Sequence, residues 1–249
     1  MLDYDEEAAN YDRTRGGDAR AGLAAAALER LLPQGPAVLA DLACGTGIIT
    51  TRLRRPGRRV LGIDPSAGMA RLAAPRLDGA VVLGDGTRLP LPDASVDAVT
   101  TVWLLHLLDE AGSAAVIAEA ARVLRPGGTF VTTVDRLGAP YNTGCDAAAL
   151  IGPVRAPHVR PQTDAPERVV RVAAAHGLTS SGRATFTMPG QGRSPRVWRE
   201  RIGARDGGWA GRADAAAIAA LTDGLAALPD QDRPRPDPVH TLVALTKDA

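Results

Sequence analysis

Five short apolar runs, each followed by a segment of helical or turn character, constrain this chain more than any other feature. They are Ala37–Leu42 (AVLADL), Arg59–Ile63 (RVLGI), Ala80–Leu83 (AVVL), Val96–Val102 (VDAVTTV) and Thr129–Val134 (TFVTTV). Their apolar content is continuous rather than alternating, as in strands buried on both faces, and the spacers are long enough for right-handed crossovers. The pattern predicts an α/β fold: a doubly wound, mostly parallel sheet with helices on both faces.

The spacers read as helices over Ile48–Leu53, from Pro65 to about Ala74, and over Asp109–Leu124, where Arg125-Pro126-Gly127-Gly128 ends the last of them. A further helix over Asp18–Leu32 precedes the first strand. After Asp135 the rhythm breaks. Residues Arg136 to Pro166 are rich in Pro, Gly and small polar residues and read as an irregular covering segment. Helices are expected over Glu167–His176, Ser194–Ala204 and Ala213–Leu228, and strands over Ser181–Met188 and His240–Thr246. The 249 residues, 45% apolar, can bury one sizeable core. The expected organisation is therefore one domain over 1–249. It has an amino-terminal cap (1–32), a cofactor-binding core (33–135), substrate-covering segments that complete the sheet (136–238) and a last strand (239–249).

Composition excludes several function classes. Net charge is +1, so no electrostatic footprint for nucleic acid is expected. Lys247 is the sole lysine in an arginine- and alanine-rich chain. That bias points to a GC-rich bacterial genome and lowers the functional weight of any arginine cluster, including Arg193, Arg196, Arg199 and Arg201. Cys44 and Cys145 fit neither a disulfide framework nor zinc spacing, so no metal is expected. The acidic, polar start is unlike a signal peptide, and no apolar run approaches the roughly 18 residues that span a bilayer. A cytoplasmic protein, monomer or homodimer, with no membrane partner, is the expectation.

The chemistry is carried by strand ends. The first strand runs into Asp41-Leu42-Ala43-Cys44-Gly45-Thr46-Gly47, a glycine turn that lets a ligand approach the backbone closely. Asp64 ends the second strand, about 20 residues downstream, where a carboxylate can accept from ribose hydroxyls. A dinucleotide site would place a third small residue where this chain has Thr50, and Asp41 ahead of the glycines would repel a pyrophosphate while suiting a cationic amino group. Asp85 ends the third strand, placed to accept from an adenine amino group, with the Gly86 N–H available to a ring nitrogen.

In order, VLADLACGTG, LGIDPSAGM, GDGTRLPLPDASVDAVTT and RVLRPGG resemble the successive motifs of class I S-adenosylmethionine (SAM)-dependent methyltransferases. They are closest to the small-molecule group that includes the ubiquinone and menaquinone enzymes. The resemblance spans about Val38 to Val134. It implies a Rossmann-like seven-stranded sheet whose last strand is antiparallel and enters from a hairpin. It also implies that Asp41, Ala43, Gly45 and Gly47 hold the methionine part of SAM, that Asp64 and Pro65 bind the ribose, and that Asp85, Gly86 and Thr101 complete the cofactor site. Met69 either packs on adenine or belongs to the core. The start resembles that group's amino-terminal cap, which makes Tyr11 and Arg15 candidates near the cofactor carboxylate.

His106 follows the fourth strand, at the sheet edge where substrate is expected, and is a candidate general base. Trp103, Tyr141 and His158 are candidates for lining the substrate pocket, Trp103 with a core role as its alternative. Cys44 reads as a packing residue. Methyl transfer to an O or N nucleophile of a small molecule, in bacterial secondary metabolism, is expected from the resemblance, with C-methylation open. The competing readings are an NAD-dependent oxidoreductase and a SAM-binding regulatory protein without transfer activity. A nucleic-acid methyltransferase is disfavoured by charge and by Thr101-Val102-Trp103-Leu104, where an Asn/Asp-Pro-Pro-Tyr run would be needed.

Overall fold

The computed structural model describes residues 4–14, 16–205 and 208–248. They condense into two compact units: 1–136, 163–186 and 240–249 form the first, 137–162 and 187–239 the second. The sequence reading treated the chain as one domain.

The first unit holds the sheet. Its strands are β1 (Ala37–Leu42), β2 (Arg58–Asp64), β3 (Val81–Leu83), β4 (Val96–Thr101), β5 (Leu124–Val134), β6 (Leu178–Thr187) and β7 (Val239–Lys247). They lie in the order β3-β2-β1-β4-β5-β7-β6. Strands β1 to β5 pair in parallel, and β7 is antiparallel to β5, with Val134 opposite Thr241. Strand order reverses between β1 and β4, so right-handed crossovers on either side of that switch point cover opposite faces. The fold class agrees with the sequence reading. The hairpin does not: β6 and β7 are neighbours, but residues 188–238 lie between them in sequence and belong to the second unit.

The helices of the first unit are α1 (Tyr4–Thr14), α2 (Gly17–Glu29), α3 (Ala67–Arg76), α4 (Glu110–Val123) and α6 (Pro166–Ala174). Ser66 caps α3 by accepting from the Met69 N–H, and Asp109 caps α4 by accepting from the Gly112 N–H. Leu39, Leu42, Ile63, Val99, Ile117 and Phe130 are fully buried between sheet and helices.

Two local expectations need correction. The glycine turn does not open an α-helix over Ile48–Leu53; only a 3-10 helix forms, over Thr50–Leu53. Four consecutive β-branched residues, Ile48-Ile49-Thr50-Thr51, disfavour α-helix, and Pro56-Gly57 follow. Residues 136–166 are not wholly irregular either. They contain α5 (Asp146–Arg155), which carries Pro153 near its end, flanked by 3-10 helices at Ala139–Tyr141 and Ala156–His158. Small residues and proline hid that helix.

The second unit is helical: α5 with α7 (Pro195–Gly203), α8 (Gly208–Arg212) and α9 (Ala215–Ala226). Its core gathers Ile151, Trp198, Ile202, Ile218, Leu221 and Leu225. Among the described residues no helix is long and apolar enough to cross a membrane.

Candidate cofactor and substrate site

Three of the non-glycine residues with left-handed backbone lie along the carboxyl edge of the sheet. Ala43 after β1, Trp103 two residues beyond β4 and Asp135 after β5 have φ of 53°, 61° and 50°. L-residues rarely adopt this left-handed region, and such outliers cluster at ligand sites. All three follow the same edge of three neighbouring strands.

The glycine turn is built onto that edge. Gly45 (φ 58°) has nothing within 4 Å of where a Cβ would stand, so its backbone is open to a ligand. Gly47 (φ 72°) lets the turn approach α3, with a Cβ position 3.2 Å from Ala73 Cβ. The Gly45 N–H donates to Asp64 Oδ2 (2.8 Å), and the Ser66 N–H donates to Asp64 Oδ1 (2.9 Å). Burial raises the Asp64 carboxyl above its ordinary value against these two bonds.

Asp41 lies beneath the turn, 4% exposed. Its Oδ2 accepts from Thr50 Oγ1 (2.5 Å) and its Oδ1 from Thr100 Oγ1 (2.6 Å). Each Asp41 oxygen thus accepts one hydrogen bond inside the protein. Desolvation lifts the Asp41 pKa to about 6. Thr50, at the position where a dinucleotide turn wants a third glycine, is fully buried and committed to Asp41. Cys44 packs tightly, its Sγ 2.8 Å from the Cβ position at Gly62. Burial pushes its thiol far up, which leaves it unreactive.

Helix α1 docks on the same elements. Asp5 Oδ1 accepts from Ser66 Oγ and from the Gly68 N–H, both at 2.6 Å. Asp12 accepts from Thr46 Oγ1 (2.6 Å) and pairs with Arg76 (2.7 Å). A cleft runs from Tyr11 and Arg20 past Ala43, Gly45 and Ile49 to Trp103. Tyr11, Ala43, Gly45 and Trp103 thus line one cleft. Arg15 lies outside the described residues.

Other candidates fall elsewhere. Met69 is 1% exposed, its side chain enclosed by the protein. Pro65 is exposed beside Asp64. Asp85 is exposed on the same sheet edge, where the Gly84 N–H donates to the Asp64 carbonyl (3.1 Å), and Asp85 Oδ1 accepts from the Thr87 N–H (2.8 Å). Gly86 has Val116 and Leu104 as neighbours. Thr101 is fully buried at the end of β4, and its Oγ1 has no hydrogen-bond partner.

Past β4, the Trp103 N–H donates to Thr133 Oγ1 (2.7 Å). The Arg20 guanidinium lies 3.5 Å above the Trp103 ring, and Phe186 and His240 stand edge-on to it at 5.9 and 6.1 Å. Burial and the charges of Arg136 and Arg20 lower the pKa of both His106 and His240 to about 4. An imidazole with a pKa of about 4 is neutral near pH 7 and a weak base, and a base poised near neutrality works best. Arg20, Phe186 and His240 were missed: one was discounted with the other arginines, and two lie some 80 and 135 residues from Trp103 in sequence. Tyr141 and His158 belong to the second unit, where Tyr141 packs on Trp198 (5.1 Å) and the His158 carbonyl accepts from Arg212 (2.6 Å). In that unit Arg193 covers Trp198 and Arg196 pairs with Asp232.

Residues 40–132 match the methyltransferase-domain family. An uncharacterized methyltransferase of Mycobacterium tuberculosis is 41% identical over 118 residues, covering 47% of this chain and 44% of that one. The demethylmenaquinone methyltransferase of Corynebacterium kroppenstedtii is 39% identical over 100 residues, covering 40% and 42%. The aligned stretch thus spans less than half the length of either relative. A Haloferax volcanii methyltransferase, solved in complex with its Trm112 activator, shares the fold with a TM-score of 0.61 and 19% identity. That likeness covers 99% of this chain and 98% of that one. Strand order, the glycine turn locked to Asp64 and the family match agree that residues 40–132 are a methyltransferase domain.

Proposed function

We propose that the whole chain transfers a methyl group from SAM to an oxygen or nitrogen of a small molecule. One observation carries this reading. The backbone at Gly45 is open on the side of a cleft that continues to Trp103, so one surface can take a nucleoside-bearing cofactor at one end and an acceptor at the other.

The residues fit such a cofactor. Gly45 permits close approach of its backbone. Asp64 keeps lone pairs free for ribose hydroxyls, because each oxygen accepts one backbone bond in the structure. Asp85 and the Gly86 N–H, next along the edge, suit the adenine rim. Asp41 acts through its buried charge, which favours a cationic ligand above it. Bound SAM supplies an electrophilic methyl on a sulfonium leaving group. The chain then aligns the acceptor and excludes water. His106, neutral above its pKa of about 4, accepts a hydrogen bond from the acceptor's O–H or N–H.

Calorimetric titration with S-adenosylhomocysteine tests this. Binding is expected to wild type and to weaken at least tenfold in Gly45→Ala, whose Cβ meets no protein atom but would meet the ligand. Equal affinity in the two proteins would refute the placement.

A further inference from the structure

Within the second unit, ion pairs join Arg196 to Asp232, Arg233 to Asp230 and Arg235 to Asp146. Among the described residues none includes Arg155. Arg155 is the last residue of α5, and its guanidinium carbon lies 4.1 Å from the centre of the Tyr141 ring. Its Nε is buried and has no hydrogen-bond partner. A helix carboxyl terminus favours a cation, which accounts for the place of the charge. It does not account for a buried donor without an acceptor, which is rare in folded proteins and costs more in a charged group than in a neutral one.

The ring beneath the guanidinium is held in place. Tyr141 Oη accepts from Trp209 Nε1 (3.1 Å), and the Tyr141 ring packs on Trp198 (5.1 Å) and stands edge-on to Trp209 (6.3 Å). Trp209 lies on α8, which ends at Arg212. Arg212 Nε and Nη2 donate to the carbonyl of His158, three residues beyond Arg155, at 3.2 and 2.6 Å. Helices α5 and α8 therefore bring two arginines to the same 3-10 turn, Ala156–His158. Neither has a carboxylate partner among the described residues. The enclosed Nε shows that the Arg155 charge is partly desolvated, and an unpaired charge in that setting gains most from an anion. A guanidinium stacked on an aromatic ring keeps its in-plane donors for a ligand, and their fork matches carboxylate and phosphate.

We propose that Arg155, stacked on Tyr141 and supported by Arg212, binds an oxyanion: the carboxylate or phosphate group of an aromatic ligand. The half-buried rings of Tyr141 and Trp209 suit the aromatic body. The proposal stands apart from the methyl-transfer reading and needs no cofactor.

Calorimetric titration of the full chain at low ionic strength tests it, with benzoate and phenyl phosphate as probes and benzylamine as the cationic comparison. At least one of the two anions is expected to bind, the tighter of them identifying the oxyanion as carboxylate or phosphate, and benzylamine is expected not to. Affinity is expected to fall by about tenfold or more in Arg155→Gln. Arg155→Lys, which keeps the charge and loses the planar fork, is expected to recover only part of it. Arg212→Gln, at an exposed position, is expected to weaken binding by about threefold. Thermal unfolding of each variant checks that it is folded, and Arg212→Gln keeps the test open should Arg155→Gln not fold. Failure of both anions to bind, equal binding of benzylamine, or affinities unchanged in the arginine variants overturns the proposal.

Discussion

Asp64 Oδ2 accepts a 2.8 Å hydrogen bond from the Gly45 N–H, so the end of β2 holds the glycine turn that follows β1. Replacing Asp64 by alanine removes that bond and the one to Ser66. A hydrogen bond to a charged group is worth about 1.5–3 kcal/mol. Affinity for S-adenosylhomocysteine is therefore expected to fall about 10- to 100-fold in Asp64→Ala, measured by calorimetry.

Arg58 is the buried anchor of the opposite end of the sheet. Its guanidinium, with 0% side-chain exposure, bonds Glu29 Oε1 (2.5 Å) and the carbonyls of Leu53 (3.0 Å) and Pro33 (2.7 Å). Arg58→Met leaves those acceptors without their donor, and breaking a buried pair costs about 3–5 kcal/mol. Urea unfolding is expected to show a loss near the lower end, because Glu29 also contacts Arg55 at 3.1 Å. The double variant with Glu29→Gln is expected to lose less than Arg58→Met alone.

The pH dependence of stability has two opposed parts. His106 and His240 titrate near pH 4 in the folded chain against 6.5 in the unfolded one. Between those values the unfolded chain binds protons that the folded chain refuses, so stability falls as pH falls. Asp41, raised from 3.8 to about 6, has the opposite sign: it favours the folded chain at low pH, and that contribution is lost as pH rises toward 6. Thermal scans from pH 4 to 6.5 are therefore expected to show a shallower rise of Tm with pH in His240→Gln than in wild type, and a steeper rise in Asp41→Asn. Parallel curves would contradict both assignments.

The periodicity of the first 135 residues was enough to place β1 to β5, because strands buried on both faces leave unbroken apolar runs. The ends of β1, β2 and β3 were legible for the same reason, and with them Gly45, Asp64 and Asp85. What stayed hidden depends on contacts across long sequence separations. The hydrogen bonds that Thr50 and Thr100 give Asp41 join β1 to the turn after it and to β4. His240 and Phe186 meet Trp103 only because β7 and β6 complete the sheet. Helix α1 carried no strong periodic signal, and its position is set by Asp5 and Asp12 reaching the cap of α3 and the glycine turn.

Thermal denaturation with S-adenosylhomocysteine, with NAD as comparison and Asp64→Ala as control, tests the central claim most directly. Ligand at about 100 times its Kd stabilises by roughly 2.7 kcal/mol. For a chain of this size that raises Tm by about 5–10 °C. The expected result is a rise of that order with S-adenosylhomocysteine, none with NAD, and a smaller rise in the variant. No rise with S-adenosylhomocysteine, or a rise with NAD instead, would contradict the reading of the glycine turn and the methyl transfer built on it.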